Sequence, residues 1–294
     1  EGFIEDIMRF LDNVLQDFID NAPDDFSRAK YSAMRERSVG LGVMGFHSFL
    51  QANMIPFEGA MAKVWNMRMF KHIRTAADAA SRLLAEERGA CPDAEDFGIM
   101  ERFSNKLSVA PTASISIICG GASPGIEPAA ANSYTHKTLS GSFNVRNPFL
   151  RALLAEKGKD TDEVWSSITT SEGSVQHLDF LNEDEKSVFR TAFEIDQRWI
   201  VEHAGDRSEF ICQSQSINLF LPADIHKRDL HQLHLQAWKK GVKSLYYCRS
   251  KSIQRAEVVA SHEGDQAAVP HLGKVNGGDQ PTEQIDYEEC LACQ

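Results

Sequence analysis

The chain has 294 residues, 42% of them hydrophobic, ample for one large core or two modest ones. Its formal net charge of −11 argues against a general binder of nucleic acid or anionic membrane, which would need a basic surface. A nucleotide stays compatible with that charge, because a phosphate pocket is local.

The start, Glu1-Gly2-Phe3-Ile4-Glu5-Asp6, is acidic and is no signal peptide; without an initiator Met, a processed or truncated piece is expected. From 3 to 20, Phe3, Ile4, Ile7, Phe10, Leu11, Val14, Leu15, Phe18 and Ile19 fall at helical spacing, and Pro23-Asp24-Asp25 stops the helix. Arg35 to Gly45 reads as a short strand, with glycines where another backbone comes close. A helix follows over 46–52. The longest helical pattern covers 58–88, Ala-rich and amphipathic, with Gly89 as its cap. Another short helix is expected over 97–104.

The stretch Ala110-Pro111-Thr112-Ala113-Ser114-Ile115-Ser116-Ile117-Ile118-Cys119-Gly120-Gly121 begins with small hydroxyl residues, enters an apolar run and ends in paired glycines. Gly125-Ile126-Glu127-Pro128 follows as a corner. The order suggests a strand, a tight turn and exposed backbone amides. Small residues let the main chain approach a ligand, and converging N–H groups suit a phosphate. A buried strand and its turn would look the same. Glu127 suits a general base or the brace of a turn.

Short extended segments are expected over 131–137 and 141–145. Helices are expected over 149–157, started by Asn147-Pro148, and over 161–169, 183–203 and 224–240. Ser214 to Leu221 and Gly241 to Cys248 read as strands. Strands separated by helices argue for an α/β architecture with parallel pairing. His226, His231 and His234 could suggest a metal, but no carboxylate companion is obvious, so a solvated helix face is the reading and no metal site is assigned.

Tyr246-Tyr247 would point to opposite faces of a regular strand. One core and one surface tyrosine is the plain reading. At a strand end the two rings can approach, and paired phenols can relay a radical. From about residue 261 the chain turns polar and Gly-rich, and a largely disordered tail is expected. It ends in Cys290-Leu291-Ala292-Cys293, a spacing that fits a dithiol redox pair, half a zinc site or an inert end. The six cysteines do not form a secreted disulfide scaffold in a chain this long, so a reducing cytoplasm is expected. No apolar run approaches the roughly 18 residues of a membrane span.

Six pieces in order carry a resemblance. They are Arg37 to Gly45, Pro111 to Ser116, Gly125 to Pro128, Gln213 to Asn218, Ser244 to Tyr247 and the terminal Cys-x-x-Cys. Each is modest, but in this order they resemble the catalytic large subunit of aerobic (class I) ribonucleotide reductase. The resemblance implies the second half of a ten-stranded α/β barrel over 1–260 and a flexible redox tail over 261–294. It implies that ribonucleoside diphosphates are reduced by thiyl-radical chemistry. Pro111, Thr112, Ala113, Ser114 and Ile115 would hold the substrate diphosphate, although the family often carries an acidic residue where Ala113 stands. Tyr246 and Tyr247 would relay the radical from a metal-containing small subunit. Cys290 and Cys293 would re-reduce the active site, then be reduced by thioredoxin or glutaredoxin; the family's tail cysteines are often further apart.

No Asn-x-Cys-x-Glu finger-loop motif occurs in the 294 residues. The resemblance therefore implies only the carboxy-terminal part, with no cofactor bound in it and nucleotide effectors binding elsewhere. The complete large subunit would be a homodimer, with no nucleic-acid or membrane partner. Two alternatives stand beside this reading: a non-catalytic fragment that assembles with a companion chain, and a cobalamin-dependent reductase. The second has no need of a tyrosine pair.

Overall fold

The computed structural model describes residues 2–138 and 141–250. It opens on α1 (Phe3–Asn21) and α2 (Ser27–Glu36), then α3 (Phe46–Ala52) and the long α4 (Ala60–Arg88). Helix α1 packs along α4. The apolar stripe read from the sequence supplies that contact, with Met8 fully buried and Ile4, Leu11 and Leu15 against the core. At the seam lies Asp12, which is fully buried and accepts hydrogen bonds from Arg37, Arg102 and Arg88. Burial alone would raise the Asp12 pKa, but the three guanidinium groups outweigh it and hold the carboxyl below its usual range.

The short helix α5 is Pro92–Glu95, not 97–104 as expected. Pro92 stands at the first helical position, and Gly98 with φ 70° turns the chain out. The 110–121 stretch also departs from expectation. Ala113–Ile118 is a helix, α6, rather than a strand, and Ile115, Ile117 and Ile118 are exposed. β-branched residues favour strands only where a sheet is there to receive them, and none pairs here. Gly120 and Gly121, both with positive φ, close the turn, and Gly121 N donates to the Ser116 carbonyl.

An antiparallel hairpin follows, β1 (Ser133–Thr138) and β2 (Gly141–Arg146), with Ser133 opposite Arg146. Then come α7 (Pro148–Glu156), α8 (Asp162–Thr170), α9 (Glu183–Val188), α10 (Gln197–Ser208), β3 (Leu219–Leu221), α11 (Lys227–Lys239) and β4 (Cys248–Ser250). The single helix expected over 183–203 is two. Asn182 and Glu185 form a capping box at the first, and the Asp196 side chain caps the second.

Strands β3 and β4 pair in parallel. They belong to a longer ladder that is mostly single bridges. Leu41 bridges Leu107 in parallel, and Val109 bridges Gln215 in parallel. Tyr246 N donates to the Ile217 carbonyl, and Leu219 N donates to the Tyr247 carbonyl. Four segments thus lie side by side, near 41, 107, 217 and 248. The strand expected over 35–45 is real as a ladder position, and those over 214–221 and 241–248 shrink to their ends. The glycines in the first segment are required: a Cβ on Gly42 would sit 2.4 Å from the Ser108 carbonyl oxygen.

Two hydrophobic clusters fill the molecule. The larger gathers α3, α4, α10 and β3 around Phe46, Phe57, Phe70 and Leu219. The smaller gathers Leu150, Leu154, Trp165, Ile168 and Phe189. Among the described residues no helix is long and apolar enough to cross a membrane.

Candidate active site

The predicted phosphate loop begins where the ladder ends. Val109 is the last bridged residue, and Pro111 and Thr112 carry the chain out of the sheet into α6. Thr112 caps that helix in the left-handed region, φ 55°, which a β-branched residue adopts only when its surroundings enforce it. Here its Oγ1 accepts from Gly125 N at 2.7 Å, tying the loop to the Gly-Ile-Glu-Pro corner. Ala113, Ser114 and Ile115 form the first helical turn, where backbone N–H groups lack intrahelical acceptors. Ser114 and Ile115 are exposed, and Pro111, Thr112 and Ala113 are half-buried.

Tyr246 and Tyr247 lie immediately before β4, so strand alternation does not separate their rings. The ring centroids are 4.1 Å apart, tilted by 53°. Their exposures are 38% and 48%, which rules out one core and one surface tyrosine. A cavity of about 740 Å³ is lined by Ala110 and Pro111 from the loop and by Tyr246 from the pair. Cys212, Gln213 and Lys243 also line it. The Cys212 sulfur accepts from Lys106 N and Leu107 N at 3.1 Å each. The Lys243 ammonium donates to the Ile211 carbonyl at 3.0 Å and also to that of Cys212. A second cavity, about 790 Å³, opens between α10 and α11; none of the predicted site residues lines it.

Glu127 is buried at 6% exposure and braces the corner instead of facing this cavity. Its carboxylate accepts from Asn218 N at 2.6 Å and from Asn218 Nδ2 at 3.0 Å. Burial pushes its pKa up, against those hydrogen bonds. Behind it Arg207, 1% exposed, donates to Gln215 and Asn66. Burial lowers the Arg207 pKa to about 9. Sequence reading assigned no part to Asn218 or Arg207, since a lone Asn or Arg carries no signal without its buried partner. His226 caps α11 by accepting from Arg228 N, and His234 bonds the Leu230 carbonyl, as suits a solvated face. Cys290 and Cys293 lie outside the described residues.

The family model described as "Ribonucleotide reductase, barrel domain" matches residues 2–101 and 94–248. The chain belongs to the ribonucleotide reductase barrel family. It is 50% identical over 264 residues to the "Ribonucleoside-diphosphate reductase large subunit" of Invertebrate iridescent virus 6, covering 88% of this chain and 27% of that protein. The large chain from Schizosaccharomyces pombe is 31% identical over 99% of this chain and 41% of its own length. Among solved structures, the Actinobacillus ureae class Id ribonucleotide reductase alpha subunit superposes with a TM-score of 0.80 at 39% identity, over 89% of this chain and 48% of that one. The chain therefore spans from about a quarter to about half the length of these relatives. The family agrees with the α/β reading. Among the described residues the sheets are two-stranded and no closed barrel is formed.

Proposed function

We propose that this chain is the carboxy-terminal part of a class I ribonucleoside-diphosphate reductase large subunit, carrying its phosphate loop and the last steps of its radical relay. The supporting observation is the tyrosine pair, its ring centroids 4.1 Å apart, with Tyr246 lining the same cavity as Pro111. Residues 1–260 would be part of the ten-stranded barrel wall and 261–294 the redox tail.

The family resemblance, which these positions support, gives the following chemistry. The diphosphate is received by the N–H groups of Ala113, Ser114 and Ile115 and the hydroxyl of Ser114, with Pro111 and Thr112 shaping the approach. Tyr247, nearer the small subunit, loses one electron and its phenolic proton and recovers both from Tyr246. Tyr246 recovers them in turn from a thiol on the part of the barrel absent here. That thiyl radical opens the ribose to reduction: the 2′-hydroxyl leaves as water while two thiols become a disulfide. Cys290 and Cys293 return the electrons, and thioredoxin or glutaredoxin restores them. The radical originates in a metal-containing small subunit, effectors bind outside this chain, and the complete subunit works as a cytoplasmic homodimer.

The test uses the complete large subunit with its small subunit. Tyr246→Phe and Tyr247→Phe keep the rings and remove the phenolic protons. Each should abolish turnover while small-subunit binding and the melting temperature persist. Near-normal turnover in either variant would overturn the relay.

A further inference from the structure

Tyr246 and Tyr247 are 38% and 48% exposed, and their backbone is fixed in the ladder. Tyr246 N and the Tyr247 carbonyl bond to the main chain of Ile217 and Leu219. Between these ladder bonds Tyr247 N donates to a side chain, Asn218 Oδ1, at 3.0 Å. An amide can present either end, and only the oxygen can accept from Tyr247 N. Glu127 settles which end points where. Its carboxylate can only accept, so Asn218 Nδ2 must face it, at 3.0 Å, and Oδ1 must face away. The second carboxylate oxygen holds Asn218 N at 2.6 Å, so backbone and side chain are fixed together. Both residues are buried, Asn218 at 2% and Glu127 at 6% exposure. Solvent therefore does not compete for these bonds.

We infer that Asn218, oriented by Glu127, is a positioning residue that fixes the Tyr247 backbone and with it the close tyrosine pair. This rests on the relay reading above. Glu127 lies two residues after Gly125, whose N–H is held by Thr112 of the phosphate loop. A path of hydrogen bonds joined by the backbone of the corner thus runs from loop to Asn218 to Tyr247. Small displacements of reacting groups can cost about 10²-fold in rate, and this clamp acts at that scale.

The polarity of the clamp gives its test in the complete large subunit assayed with its small subunit. E127Q sets one amide against another. Residue 218 must then turn its oxygen toward position 127 and its N–H₂ toward Tyr247 N, where two donors collide. N218D sets two carboxylates face to face, which cannot both stay ionised without cost. The double variant E127Q/N218D keeps the net charge and restores all three bonds: the side chain–side chain bond has donor and acceptor exchanged, and the backbone N–H groups of residue 218 and Tyr247 donate as before. The new amide donates to the new carboxylate, whose other oxygen accepts from Tyr247 N.

Each single variant should lower kcat by about 10²-fold with KM for the diphosphate unchanged, and the double variant should recover most of it. A role in general stability alone would not give a loss confined to kcat. Wild-type kcat in both singles overturns the inference, as does a double variant no better than either single. Should a single variant fail to fold, recovery of fold and kcat together in the double supports the clamp, and no recovery overturns it. Tyr247→Phe in the same assay separates the two readings. If it keeps turnover, the relay falls and the clamp with it. If it abolishes turnover while E127Q and N218D run normally, only the clamp falls.

Discussion

His47 and His203 both pack against Phe57, each ring T-shaped to it. Each keeps one hydrogen bond: His47 Nδ1 accepts from Ala129 N, and His203 Nε2 donates to the Phe57 carbonyl. Burial holds both pKa values down at about 4. An imidazole whose folded pKa is lowered takes up its proton more readily when unfolded. Stability is therefore full above the unfolded value near 6.5 and falls as pH drops from there to about 4. The slope is up to about 1.4 kcal/mol per pH unit for each group. Urea unfolding between those limits should show it, and His203→Gln should remove about half. An unchanged slope in the variant would assign acid lability to other groups. At the loop, Ser114→Pro removes one amide in the first helical turn, where proline is tolerated. Diphosphate affinity of the complete subunit should fall with the melting temperature unchanged, and calorimetric titration would read it.

At the scale of elements, two joints deserve perturbation. Asp12 clamps α1 to the end of α4 and to the Arg37 and Arg102 segments, with Arg37 Nη2 at 2.6 Å and Arg88 Nη1 at 2.7 Å. Asp12→Ala leaves buried guanidinium groups without their carboxylate and should cost roughly 3–5 kcal/mol, read as a lower urea midpoint. Gly42→Ala drives a methyl into the Ser108 carbonyl oxygen, a backbone atom that cannot swing away like a side-chain end. It should cost about 1–3 kcal/mol and loosen amide protection at Leu41 and Ser108, which hydrogen exchange would detect. The long helices were legible because one apolar stripe met one neighbour, as in α1 against α4. The short helices were misread from apolar spacing, which placed one over 97–104 and ran a single helix over 183–203; their limits are set by caps that the reading did not weigh, Pro92 and Gly98 at α5 and the Asn182–Glu185 box at α9. Helix α6 was not legible at all, because its isoleucines spell a strand that no neighbouring edge accepts. The tyrosine pair lay between these cases. The sequence raised strand-end stacking as a condition, and the backbone just before β4 meets it.

At the scale of the molecule, the smaller cluster around Trp165 is held to the rest by polar joints. Asn132 Nδ2 donates to the Gly173 and Phe189 carbonyls, and Asn147 Nδ2 reaches Gln51 at 2.9 Å. Trp165→Ala should cost roughly 3–5 kcal/mol. Hydrogen exchange should rise across 148–189 and leave the ladder near 107 and 217 protected; a loss spread evenly over both would show one cooperative core. The family was legible in short pieces because the ladder, the loop and the corner are built from five of them; the sixth, Cys290 to Cys293, lies outside the described residues. The Glu127–Asn218 clamp was not, since its members stand 91 positions apart and meet only in the fold.

The ladder also sets when this molecule can fold during synthesis. Helices α1 and α4 can dock once the first 88 residues are free. The segment near 41 finds its neighbour near 107, but the segments near 217 and 248 arrive much later. At about 5–20 residues per second, the ribosome takes roughly 5–20 s to supply the 106 residues from Val109 to its neighbour Gln215. Through that interval the nascent edge at Val109 lies open, with the exposed isoleucines of α6 beside it. Pairings this distant in sequence form slowly even in a finished chain. The tyrosine pair, carried by the last rung among the described residues, is assembled after the helices and the earlier rungs.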